Sequence, residues 1–217
     1  MAFKPPTTQP KEIEARSFAI IAEELGPHPF TPAQFSVVQR VIHATADFEL
    51  GRSLVFHPRA IETGIRAIRA GKPVIADVQM VQAGINKARL ARYGGEVRVH
   101  IADPDVVEEA KRLNTTRAIA AMRKTARETD GAIFAIGNAP TALLELIRLI
   151  EEEGVRPSLV IGVPVGFVSA AESKEALRQL RADVPYITNI GRKGGSPVAV
   201  AIVNALALLA DVPDHRV

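Results

Sequence analysis

"AIFAIGNAPTALLELIRLIEEEGVRPSLVIGVPVG", residues 132–166, holds two short apolar runs, 132–137 and 158–163, on either side of a helix-length segment. Each run ends in a turn of small residues, Gly137-Asn138-Ala139-Pro140-Thr141 and Gly162-Val163-Pro164-Val165-Gly166. Apolar runs without polar alternation suit strands covered on both faces, and strands of that kind belong to parallel sheets. The same signature recurs outward along the chain at "PVIADV" (73–78), "VRVHI" (97–101) and "PYITNI" (185–190), which makes five strands separated by helical segments. This predicts one α/β domain, doubly wound and Rossmann-like, with a mostly parallel sheet and a ligand site at the carboxyl edge of the strands. Two helices come first, at 11–25 and 32–48, the second opened by Thr31-Pro32 with Gln34 placed to complete a capping box. Residues 1–10, with three prolines, and 211–217 read as tails, which leaves 11–210 as the domain.

Composition narrows the chemistry. The chain has 217 residues, 47% hydrophobic and 24% charged, enough to bury one sizeable core. There is no cysteine, so disulfides, thiolate nucleophiles and cysteine-held metals are excluded. A net charge of +3, with Lys and Arg scattered along the chain, disfavours nucleic acid but not an acidic small molecule. No apolar run is long enough to span a bilayer and the start lacks the apolar core of a signal peptide, so a cytoplasmic location is expected.

Three loops should meet at the carboxyl edge: the two quoted above and Gly191-Arg192-Lys193-Gly194-Gly195-Ser196-Pro197. Glycine lets the backbone approach a ligand, and helix starts offer N–H groups to anions. Ser169 with Glu172 predicts a second capping box, and Ser196-Pro197 a cap for the last helix. Glycine turns are also simply how strands connect to helices. Read together, the loops suggest a cradle for a negatively charged ligand. No G-x-G-x-x-G follows the first strand and no G-x-x-x-x-G-K-[ST] occurs, so nicotinamide, flavin and ATP sites lack support.

"RVIHATAD" (40–47) carries the other polar signal. At about 100° per residue, Ser36, Arg40, His43 and Asp47 share a narrow stripe on a helix otherwise nearly all apolar. Such a stripe is either a solvated strip of i,i+4 pairs or an imidazole and a guanidinium on the wall of a site. His28, His57, His100 (inside a predicted strand) and His215 compete less well, and no two histidines have the spacing of metal ligands on one helix face. No G-x-S-x-G elbow supports a serine hydrolase.

"ARSFAII", "RVIHATAD", "HPRAIETGI", "IADVQMVQAGI", "NTTRAIAAM", "IGNAPTAL", "IGVPVGFVSAAESKEAL" and "PYITNIGRKGGSPVAVAIVNAL", spread over residues 15–208, resemble the precorrin-8X methylmutase family, including its cobalt-precorrin-8 counterpart. The resemblance implies an isomerisation in vitamin B12 synthesis. A methyl group moves from C-11 to C-12 of a tetrapyrrole macrocycle to give hydrogenobyrinate or cobyrinate, with no external methyl donor, redox cofactor or protein-bound metal. It implies that His43 is the catalytic group, protonating or hydrogen-bonding a ring nitrogen, with Ser17, Arg40, Arg117 and Lys193 at the substrate. It also implies a homodimer. An apolar slot walled by Val, Ile, Ala, Met80 and Met122 is expected. Gln82 stands where relatives often carry a basic residue. A non-catalytic tetrapyrrole carrier and a dinucleotide-dependent oxidoreductase are the alternatives.

Overall fold

Apolar runs and helix starts at these positions condense onto one sheet. The computed structural model describes residues 9–128 and 130–213. From the N-terminus the elements are α1 (Pro10–Leu25), α2 (Pro32–Thr45), α3 (Phe48–Arg52), β1 (Leu54–Phe56), α4 (Ala60–Arg69), β2 (Val74–Ala76), α5 (Gln79–Gly84), α6 (Lys87–Ala91) and β3 (Val97–Arg98). There follow α7 (Pro104–Arg112), α8 (Arg117–Glu128), β4 (Ile133–Ile136), α9 (Pro140–Glu153), β5 (Leu159–Gly162), α10 (Ala170–Arg178), β6 (Tyr186–Asn189) and α11 (Ser196–Ala210).

The sheet runs β1-β6-β5-β4-β2-β3, all parallel except β1 against β6. The mostly parallel, doubly wound fold is therefore as expected. The strand count is six rather than five, because β1 is a three-residue edge strand before His57-Pro58, too short to show a period. β3 is likewise cut to two residues, so His100 lies beyond the strand with Nδ1 2.7 Å from Asp103. Alternation along each strand assigns its side chains to layers. Ile133, Ala135, Leu159 and Ile161 pack with α2, α4 and α11, whereas Phe134, Ile136 and Val160 pack with α8, α9 and α10.

The expected helix 32–48 stops at Thr45. Ala46 turns left-handed at φ +52°, and the Asp47 carboxylate accepts from the Leu50 N–H at 2.9 Å to cap α3. A short acid at a helix start satisfies an orphan donor that continued helix would not. Asp47 thus leaves the stripe, and α2 is not buried all round. Val37, Val38, Val41 and Ile42 are buried against the core, each contributing about 1.5–3 kcal/mol, while His43 and Ala44 are exposed. The Thr31–Gln34 capping box forms as predicted. The Ser169–Glu172 box does not, because Ser169 sits at φ +60°, where its hydroxyl makes no cap bond; nor does Ser196 cap α11, whose cap position is Gly195. Of the expected tails, residues 1–8 and 214–217, with His215, lie outside the described residues.

Candidate active site

α1 and α2 lie side by side and bring three expected residues together. The Ser17 Oγ is 2.8 Å from the His43 Nδ1. The Phe18 ring meets the imidazole edge-on at 5.3 Å, and the Arg40 guanidinium lies 5.1 Å over that same ring. Arg40 is also held by Glu14 at 3.2 Å, and Gln39 Nε2 donates to the Phe18 carbonyl at 3.3 Å. When the Ser17 hydroxyl donates to Nδ1, the neutral imidazole carries its hydrogen on Nε2. His43 borders two hollows. One, of about 470 Å³, is shared with Pro10, Lys11, Ile13 and Glu14; the other, of about 180 Å³, with Ser17, Ile20, Ile42 and Phe48. Ile13 and Ile20 are exposed on this ridge.

The glycine-loop rim behaves differently from the expected cradle. At the β4–α9 turn the N–H groups of Gly137, Asn138 and Ala139 donate to the two oxygens of Asp77 at 3.1, 2.8 and 2.8 Å. Asp77 is buried, and it occupies the place where an anionic guest was expected. Burial pushes its carboxyl above the usual carboxylate range, with the three N–H groups pulling the other way. The remaining two loops are laced together: Gly195 N–H donates to the Val163 carbonyl at 2.9 Å and Gly166 N–H to the Arg192 carbonyl at 3.2 Å. Gly194 has φ +152°, and a Cβ there would run into the Val163 carbonyl, so only glycine fits. Beneath them the buried Lys174 ammonium donates to the Lys193 carbonyl at 2.6 Å and to Asn189 Oδ1 at 3.2 Å.

Lys193 itself is engaged. Its ammonium donates to Asp47 at 2.7 Å and Glu49 at 2.9 Å, which fastens the rim to the end of α2. Those carboxylates raise the lysine above its ordinary value, and the lysine bond in turn lowers Asp47. Arg117 is exposed at the start of α8, on the opposite face of the sheet from α2, so one chain does not bring it to His43. Met80 is exposed, but Met122 is buried in the far layer and cannot wall a slot beside α2. Gln82 Nε2 donates to the Val97 carbonyl at 3.2 Å, a structural tie. No membrane-length apolar helix and no cluster of three metal-ligating side chains occur among the described residues.

Sequence reasoning missed Phe18 and Glu14 as partners of His43 and Arg40, and Asp77 as the occupant of its neighbour's turn. The signal for Asp77 was its place directly after β2, at the edge where the glycine turns gather.

The family model described as precorrin-8X methylmutase matches residues 12–209. The cobalt-precorrin-8 methylmutase of Priestia megaterium is 68% identical over 209 residues, covering 96% of this chain and 92% of that protein. That of Leptospira interrogans is 50% identical, with 95% and 96% covered. The crystal structure of a precorrin-8X methyl mutase from Thermus thermophilus superposes with a TM-score of 0.83 at 46% identity, covering 92% of this chain and 97% of that one. The chain belongs to the precorrin-8X methylmutase family.

Proposed function

We propose that this chain is the isomerase that moves a methyl group from C-11 to C-12 of precorrin-8X or cobalt-precorrin-8, with His43 as the proton donor. The observation that carries the reading is the Ser17–His43 pair at 2.8 Å beside an open, partly apolar hollow. In the shift the C-11 to methyl bond breaks as the C-12 to methyl bond forms, and no atom leaves. The chain's task is to hold the ring, exclude water and place one hydrogen-bond donor at a ring nitrogen, which draws electron density from the migrating centre. Ser17 fixes the imidazole, and Arg40, already over Phe18, exchanges Glu14 for a substrate carboxylate. The cobalt-precorrin-8 names of the two relatives favour a cobalt-loaded substrate.

A second copy of the chain completes the site in this reading. It covers exposed Ile13 and Ile20 and brings in an Arg117 that the first copy holds on its far face. Light scattering should then give twice 23.3 kDa. The reading places the enzyme in the cytoplasm and requires no nucleic acid.

The test is turnover of metal-free and cobalt-loaded substrate, followed by the absorption of the product. His43→Asn should lose at least about a hundredfold while binding the product macrocycle and melting as the parent does. A carrier protein would show binding without turnover in the parent itself. Unchanged turnover in His43→Asn removes the proton-donor role.

A further inference from the structure

Phe167 and Val168 are 87% and 81% exposed, the highest values among the large hydrophobic side chains described. Exposure of this kind is unfavourable for an apolar ring, and it usually marks a surface that something covers. The loop that carries them is not loose. It is laced to the β6–α11 loop by the Gly166–Arg192 and Gly195–Val163 hydrogen bonds, and Lys174 grips the second loop from below. Val165 and Ile190 extend the apolar surface on the two loops.

The Arg192 guanidinium lies 6.0 Å from the centre of the Phe167 ring. No carboxylate pairs with it among the described residues, whereas its chain neighbour Lys193 holds two. Through Lys193 and Asp47 this loop is joined to the turn that ends the His43 helix, which ties the apolar shelf to the element that carries the imidazole.

We propose that Phe167 and Arg192 are a substrate-binding pair, the ring and its neighbouring aliphatic side chains meeting the apolar face of the macrocycle and the guanidinium meeting one of its peripheral carboxylates. This rests on the reading of the protein as a methylmutase. The charge complement selects the occupant: an uncommitted cation over an exposed ring suits a flat apolar body with an anionic edge. Lys193, the cation that the motif suggests for this role, is thereby assigned to holding the loop.

The probe is hydrogenobyrinic acid, titrated by absorbance against the parent, Arg192→Gln, Arg192→Lys and Phe167→Ala, alongside a fully amidated form of the same macrocycle. Arg192→Gln should weaken binding of the acid at least about tenfold and leave the amidated form unchanged. Arg192→Lys should recover part of the loss. Phe167→Ala should weaken both forms alike, and in turnover both positions should raise KM more than they lower kcat. Equal affinities of all variants for the acid overturn the inference while leaving the methylmutase reading intact. A parent that binds neither macrocycle overturns that reading as well. Loss of affinity that appears only together with a halved mass in light scattering makes the shelf a contact between subunits and also overturns the inference.

Discussion

At the β4–α9 turn three amide N–H groups close on one buried carboxylate; on α2 an imidazole meets one hydroxyl and the Phe18 ring and borders two open hollows. The two regions use similar polar groups. Apart from the Arg192 guanidinium, the rim spends its donors on the chain itself, through Asp77, the Val163 and Arg192 carbonyls, Lys174 and Lys193. The ridge leaves one side of each functional group unspent. A glycine turn at a strand end is therefore not in itself an anion site, because the anion it binds can be the protein's own. Satisfied polar groups hold the scaffold; half-satisfied ones at an exposed, apolar edge are where chemistry can be done.

Asp77→Asn should break the rim and give the largest effect. The amide keeps the shape but sets an NH₂ group against donors that need an acceptor, so about 3–5 kcal/mol of stability should go, read as a lower urea midpoint. Glu14→Gln on the ridge makes the same chemical change at a half-exposed ion pair and should cost under about 1 kcal/mol. Equal effects would erase the distinction between the two regions.

The same contrast explains what was legible in the sequence. β4 and β5 could be read because they are continuous apolar runs bounded by glycine, a pattern set by burial on both faces. β1 could not, since its place follows from pairing with β6 more than a hundred residues away. The left-handed Ala46 escaped notice because nothing local forbids another helical turn there; the Asp47 cap and its bond to Lys193 decide it. Motif resemblance named Ser17, Arg40 and His43, and the fold puts them within reach of one another. It put Lys193 at the substrate but could not show that two carboxylates of the chain hold its ammonium. Long-range pairing of this kind is settled by which strands are neighbours, and strand order is not written in any local window.

The next effect belongs to Lys174 and shows in its pH dependence. Burial brings this ammonium down to about 8 from 10.5, and no carboxylate offsets the burial. Below pH 8 the folded and unfolded chains both hold the proton, and the folded state carries a penalty of about 3 kcal/mol. Between pH 8 and 10.5 the folded chain has released the proton and the unfolded chain has kept it, so rising pH favours folding by up to about 1.4 kcal/mol per unit. Lys174→Met lacks this gain. Urea midpoints at pH 7, 9 and 10 should show the parent gaining on the variant as pH rises. Parallel curves would mean that the ammonium under the rim is solvated, and the picture of a rim held by buried polar groups would fail there.

The smallest effect sharpens the ridge. Ser17 touches His43 Nδ1, and the polar connection it makes lies between two exposed helices, so Ser17→Ala should leave the melting temperature within the equivalent of about 0.5 kcal/mol. If the hydroxyl acts by fixing the imidazole tautomer, kcat should fall by about tenfold with KM unchanged, because Nδ1 then loses its partner. If the hydroxyl reaches the substrate instead, KM should rise. Ser17→Thr keeps the oxygen and should restore the parent kcat in the first case. The ridge differs from the rim only if catalysis and stability separate in this way: a variant that lost activity in step with its melting temperature would make Ser17 one more fully spent group of the scaffold.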